Sequence, residues 1–284
     1  MRPRRRAVLV DPRLSSIGKP LVPFLKWPGG KRWAAERISE IVRHGLRGTY
    51  FEPFLGGAAV FFHLRPDLAV LSDLNRELVA AYQAVRDRVD EVLRELGSLR
   101  VNRRRYLEVR EATPADPITR AARFLYLNRT GFGGIYRVNG NGKFNVPYGG
   151  GDRTPRILTR TSRLADASVA LLFARLECSD FEPMLDCARQ GDVVYCDPIY
   201  TVTHDNNCFV RYNERNFSWS DQERLAKVAR RTAARGVRVI ISNAHHDEVR
   251  KLYRGLNRLT LVRFSSLSAD PLRRRAVKEH LILL

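Results

Sequence analysis

Residues 49–75 constrain this chain more than any other stretch. Thr49-Tyr-Phe-Glu52 reads as a short strand that Pro53 ends, because proline has no N–H to give a sheet ladder. Gly56-Gly57 come next, then an apolar helix over residues 58–64. A second buried strand covers residues 68–71 and runs into Ser72-Asp73, and another helix starts near Asn75. Strand, glycine turn, helix, strand, acid is the order of a nucleotide-binding α/β unit built on a parallel sheet. The glycines let the backbone approach a ligand closely, and the acid can accept both hydroxyls of a ribose. The gap from Gly56 to Asp73 is close to the ~20 residues of such units. A plain tight turn with a helix cap fits the same residues, so this unit alone leaves ligand binding open.

The α/β pattern is interrupted once and then resumes. Residues 98–163 carry 14 Lys+Arg against four Asp+Glu, so half of the net charge of +20 sits in under a quarter of the 284 residues. Eight of the 19 glycines fall in residues 131–151. There Ile135-Tyr-Arg-Val and Lys143-Phe-Asn-Val flank Asn139-Gly-Asn-Gly, a β-hairpin signal. Buried strands return at residues 192–196 and 237–242, with terminal strands at 259–264 and 280–284. A helix over residues 220–235 has Ser220 and Glu223 placed for a capping box. The expected organisation is a basic arm (1–20), a sheet domain (21–97 and 164–284) and an inserted, mainly helical module with a hairpin (98–163).

An arginine-rich surplus of this size points to a polyanionic partner, nucleic acid first, or to a base composition that favours Arg codons. No apolar run approaches the roughly 18 residues of a membrane span. The start, MRPRRRAVLV, has too few apolar residues after its basic stretch for a secretory signal. Cys178, Cys187, Cys196 and Cys208 form no Cys-x-x-Cys pair, so neither zinc nor any other metal is expected. Such sparse use fits a reducing cytoplasm. His245-His246 reads as a polar helix start.

Three further motifs bear on chemistry. Trp27-Pro-Gly-Gly-Lys31 has Gly-Lys without the spacing of a phosphate loop, which argues against an ATPase. Its Trp can stack on a flat ring and its Lys can meet an anion, or the two are packing and a solvated charge. Asp197-Pro-Ile-Tyr200 ends a buried strand, where parallel sheets place ligands. An Asp, a Pro-restrained backbone and an aromatic suit a planar, amino-bearing ring, and a simple strand-to-loop turn is the alternative. Asn128-Arg-Thr-Gly-Phe-Gly-Gly-Ile-Tyr-Arg137, with Lys143-Phe-Asn-Val-Pro-Tyr148, is a basic hairpin with interleaved aromatics. Arginine can bond guanine bidentately and an aromatic can wedge between bases. A glycine-rich loop with aromatic staples would look similar, but the local charge favours DNA.

In this order, the pieces at residues 24–31, 51–57, 72–75, 128–149 and 192–200, with weaker ones at 241–243 and 275–284, resemble the Dam-type adenine-specific DNA methyltransferases. The match spans nearly the whole chain. The resemblance implies a Rossmann-like methyltransferase sheet with an inserted target-recognition domain, S-adenosylmethionine as cofactor and double-stranded DNA as partner. It implies cofactor contacts from Trp27, Lys31, Glu52, Phe54, Gly56, Asp73 and Asp197, and a catalytic loop of Asp197, Pro198 and Tyr200. Family DNA-reading positions fall on Phe132, Ile135, Arg137, Asn145 and Pro147, in a pattern matching members that methylate GATC. A flipped adenine and a monomeric enzyme acting on cytoplasmic DNA complete the expectation.

One residue departs from the family pattern. The catalytic loop usually reads Asp-Pro-Pro-Tyr, and here Ile199 takes the third place. A φ restraint near −65° is lost and a backbone N–H appears. Ile199 thus separates an active methyltransferase from a catalytically silent DNA-binding relic. A third reading is a methyltransferase for another amino-bearing target, cytosine or RNA.

Overall fold

The computed structural model describes residues 20–140, 142–150, 158, 162–201, 217–264 and 276–284. The basic arm, Cys208 and nearly all of residues 201–216 lie outside the described residues.

Seven strands form one sheet: β1 Tyr50–Glu52, β2 Ala69–Asp73, β3 Ala174–Cys178, β4 Val193–Cys196, β5 Arg238–Ala244, β6 Asn257–Phe264 and β7 Ala276–Leu283. Their order is β3-β2-β1-β4-β5-β7-β6. The first five are mutually parallel, and β7 runs antiparallel between β5 and β6. The order reverses between β1 and β4, leaving a crevice at the carboxyl ends of those strands where open α/β sheets bind ligands. β1 and β4 are buried throughout, as expected of strands covered on both faces.

Apolar spacing sets the buried face of the helices, and a side-chain cap starts some of them. Helix α1, Ala35–Gly45, buries Ala35, Ile38, Ile41 and Val42, a single face at 3.6-residue period. Helix α2, Ala59–Leu64, starts after Ala58 in the left-handed region at φ +53°. Helix α3, Arg76–Asp87, is capped by Asn75, whose side chain accepts the Leu78 N–H at 3.1 Å.

Three helices ahead of the hairpin pack onto the same core as the strands. Helices α4 Val89–Ser98, α5 Arg103–Glu111 and α6 Pro117–Thr130 place Val92, Tyr106, Val109, Ile118 and Phe124 in the same apolar cluster as Phe24, Ile38 and Tyr82. The hairpin is smaller than its sequence predicts. Val138 and Phe144 form an isolated antiparallel bridge, Asn139 N–H donates to Lys143 O at 2.8 Å, and Asn145 N–H donates to Arg137 O at 3.1 Å. No extended strands flank it among the described residues.

The remaining helices are α7 Ser162–Leu171, α8 Phe181–Cys187, α9 Trp219–Ala233 and α10 Asp247–Leu252. The expected capping box on α9 lies two residues earlier, at Ser218 and Asp221. Ser218 has the extended backbone of a cap, and Glu223 is taken by the Trp219 indole N–H at 3.1 Å. His246 caps α10 by accepting the Glu248 N–H, as a polar helix start should.

Candidate active site

The crevice at the β1/β4 reversal collects residues from five places in the chain. Asp197 follows β4 directly, and Lys31 reaches it from the loop before α1. Lys31 Nζ lies 2.8 Å from Asp197 Oδ1, 3.5 Å from Glu279 Oε2 on β7, and donates to Gly29 O at 2.9 Å. The Lys31 side chain is 4% exposed and that of Asp197 18%. Burial pushes the Asp197 carboxyl up to about 6, against the pull of Lys31, and Glu279 adds to the rise. A lone carboxylate here would be costly to ionise, and the ammonium offsets that cost.

The Asp197–Tyr200 loop is held at several atoms. The Tyr200 hydroxyl donates to Glu279 Oε2 at 2.8 Å, and Lys31 Nζ sits 5.0 Å from the centre of the Tyr200 ring. Pro198 is buried and Ile199 is 38% exposed. The Ile199 carbonyl accepts from Gln222 Nε2 at 3.1 Å. Under the loop, Tyr195 and Ser242 share a hydroxyl–hydroxyl bond at 2.9 Å.

The glycine turn forms the second half of the crevice. Gly56 has φ +45°, and a Cβ there would stand 2.8 Å from Trp27 Cδ1, so the indole lies directly against the turn. Asp73 ends β2 and accepts N–H bonds from Gly56 at 3.1 Å and Asn75 at 3.0 Å. Burial raises its pKa against those bonds. A carboxylate has about four acceptor positions, and with the Leu74 N–H also bonded to Asp73 one position is left for a hydroxyl. Half-exposed Trp27 and exposed Leu74 add apolar surface beside it. A hydroxyl acceptor, a glycine turn and apolar walls fit an adenosyl group.

Glu52 and Phe54 are also among the residues expected at the cofactor. Glu52 is buried, with Oε2 accepting from the Tyr50 hydroxyl at 2.9 Å and the Phe61 N–H at 3.2 Å. Burial, the largest effect, raises its carboxyl to about 8. Phe54 packs its ring on Phe181 and Phe217, each with centroids 5.5 Å apart.

The predicted DNA-reading residues gather on the hairpin beside this crevice. Trp27 stacks on Tyr136 at 6.1 Å, and Asn128 on α6 clasps the Lys26 backbone from both sides. Phe132 is 59% exposed, Arg137 and Pro147 are exposed, and Ile135 and Asn145 are half-buried. Arg137 Nε donates to Asn145 Oδ1 at 2.8 Å, which holds the guanidinium outward on the hairpin. The Pro147 carbonyl accepts the Phe132 N–H at 2.9 Å.

Asn243 and Glu279 fall in the weaker matching segments at 241–243 and 275–284, but neither they nor Gln222 carry an assigned role in the sequence reading. Each is a polar residue on an otherwise buried face, which was the available signal: Gln222 precedes Leu225, Ala226 and Ala229 on the inner side of α9, and Glu279 precedes Leu281 on β7.

The strand order is that of a Rossmann-like methyltransferase fold. Residues 27–267 match the family described as D12 class N6 adenine-specific DNA methyltransferase, and the chain belongs to that family. It is 35% identical over 258 residues to a Type II methyltransferase, M.MjaIII, of Methanocaldococcus jannaschii, covering 83% of this chain and 89% of the relative. It is 34% identical over 268 residues to a DNA adenine methylase of Salmonella typhi, covering 92% and 94%. A DNA N-6-adenine-methyltransferase of Escherichia phage P1 is 33% identical over 253 residues, covering 83% of this chain and 32% of that longer protein. The chain is therefore an adenine-specific DNA methyltransferase. No helix among its described residues is long and apolar enough to cross a membrane.

Proposed function

We propose that this enzyme methylates N6 of adenine in duplex GATC sites, using S-adenosylmethionine and a flipped target base. The observation that carries the reading is the Lys31–Asp197 pair at 2.8 Å, set on a loop with Pro198 and Tyr200 at the carboxyl end of β4. An adenine inside the duplex cannot bring N6 to a carboxylate in a crevice, so the base must leave the stack. Tyr200 then offers a ring face. The N6 lone pair is delocalised into the purine and is a poor nucleophile. Asp197 and the Pro198 carbonyl accept its two hydrogens, which favours a more tetrahedral nitrogen. Lys31 keeps Asp197 ionised, so the carboxylate accepts a bond. When bound, S-adenosylmethionine supplies an electrophilic methyl group on a sulfonium. The N6–CH3 bond would replace the methyl–sulfonium bond, whose electron pair would stay on sulfur as a neutral thioether, and one N6 proton would pass to Asp197. The protein's contribution is positioning and fixed charge.

Trp27, Gly56 and Asp73 are the residues for the adenosyl part, and Phe132, Ile135, Arg137, Asn145 and Pro147 for the DNA. The hairpin's outward Arg137 supports a guanine contact in the target.

The test is transfer of labelled methyl from S-adenosylmethionine to DNA with and without GATC, alongside 2-aminopurine fluorescence at the target adenine. Transfer restricted to GATC, with a fluorescence rise on binding, is expected. Transfer to both DNAs would remove the target assignment. The silent-relic reading, favoured by Ile199, requires DNA binding with no transfer at all.

A further inference from the structure

The loop that carries Asp197 and Tyr200 has one proline, and residue 199 brings no φ restraint of its own. Its carbonyl is nevertheless held from a distance. Gln222 Nε2 donates to Ile199 O at 3.1 Å, Gln222 Oε1 accepts from Asn243 Nδ2 at 2.9 Å, and Asn243 Oδ1 accepts the Ala244 N–H at 2.8 Å. Both amides are buried, Gln222 at 1% and Asn243 at 0% exposure.

This relay has only one consistent orientation. At its far end is the Ala244 N–H, which only donates; at its near end is the Ile199 carbonyl, which only accepts. Flipping either amide would set donor against donor or acceptor against acceptor at two junctions. The relay is also anchored at its base. Asn243 lies in β5, paired with His280 of β7. Gln222 lies in the first turn of α9, which the Ser218–Asp221 capping box closes and Arg224 ties to Asp180 at 2.7 Å.

We propose that Gln222, oriented by Asn243, is a positioning residue that sets the Ile199–Tyr200 peptide plane and supplies the restraint that residue 199 does not. The peptide plane decides where the Tyr200 ring begins, while Lys31 fixes Asp197 at the other end of the loop. The proposal builds on the adenine-methylation reading above, but its physical claim concerns the loop and can be read without turnover.

The experiment compares wild type, Gln222→Leu, Ile199→Pro and the double variant. Two readouts are taken: hydrogen exchange at the amides of residues 200 and 201, and kcat with KM for DNA. Gln222→Leu should speed loop exchange about tenfold, the scale of one buried hydrogen bond, while exchange in β4 and β5 stays unchanged. Its kcat should fall roughly 10- to 100-fold with KM for DNA little altered. Ile199→Pro should recover much of that loss in the Gln222→Leu background.

Unchanged loop exchange in Gln222→Leu would overturn the proposal whether or not the wild type turns over. So would faster exchange with unchanged kcat, or faster exchange spread evenly across the sheet, which would mark a merely structural side chain. An inactive wild type would defeat the adenine-methylation reading, and the exchange data would still decide the relay.

Discussion

Tyr200 donates its hydroxyl to Glu279 Oε2 at 2.8 Å, and the same carboxylate oxygen lies 3.5 Å from Lys31 Nζ. One anion on β7 therefore orients the ring expected to stack on the base and shares the ammonium that neutralises Asp197. Glu279 raises the Asp197 pKa and Lys31 lowers it, leaving the carboxyl near 6. The ionised form accepts the amino hydrogen, so the methyl-transfer rate should climb with pH through about 6. Glu279→Gln should move that limb to lower pH and Lys31→Met to higher pH. Shifts of kcat against pH in the same direction for both variants would contradict this arrangement.

Gly56→Ala should weaken S-adenosylmethionine binding by roughly tenfold or more and destabilise the protein by about 1–3 kcal/mol. The φ of +45° disfavours any side chain, and the added Cβ would push the Trp27 indole off the turn. Calorimetric titration of the cofactor and a urea midpoint measure the two effects. Wild-type affinity in Gly56→Ala would mean that Trp27 and the turn do not form the adenosyl site.

Arg137→Ala should reduce discrimination between GATC and single-base variants by about 1–3 kcal/mol at one base pair. Asn145→Ala should relax the same position less, because it removes only the bond at 2.8 Å that aims the guanidinium. Competition assays with the four base pairs at each position read this directly. A uniform loss of affinity across all variants would instead make Arg137 a phosphate contact.

Glu52 should make stability fall with pH. Its folded carboxyl titrates near 8 against an ordinary 4.5, raised chiefly by burial. The stabilising contribution of the neutral form is complete below about pH 4.5 and declines as pH rises through about 8. Glu52→Gln keeps an oxygen for Tyr50 and Phe61 without the ionisation, so its urea midpoint should gain on wild type between pH 5 and 8. A constant difference across that range would show that Glu52 is already ionised in the fold.

Local patterns made much of this molecule legible in one dimension. The Gly56–Asp73 unit, the β4 strand ending at Asp197 and the α10 start at His246 all depend on apolar period and on residues with few backbone options. The family and its activity followed from motifs in their order along the chain. The α9 cap was misplaced because Ser218 and Ser220 look equivalent in sequence, and only the backbone at Ser218 decides between them. The hairpin's turn was legible, but its short pairing depends on packing of Tyr136 against Trp27, Phe124 and Phe144.

The amino-acid sequence alone determined which chemical groups this enzyme possesses: the carboxylate, the lysine, the aromatic and the glycine turn. Tertiary structure alone decided which of them meet. Residues 31, 197 and 279 form one contact set and residues 199, 222 and 243 another, and the side-by-side order of β4, β5 and β7 brings each set together from distant parts of the chain. It also buried Glu52. Burial and long-range contact set the charge state and direction of a side chain, and neither is a property of its neighbours in sequence.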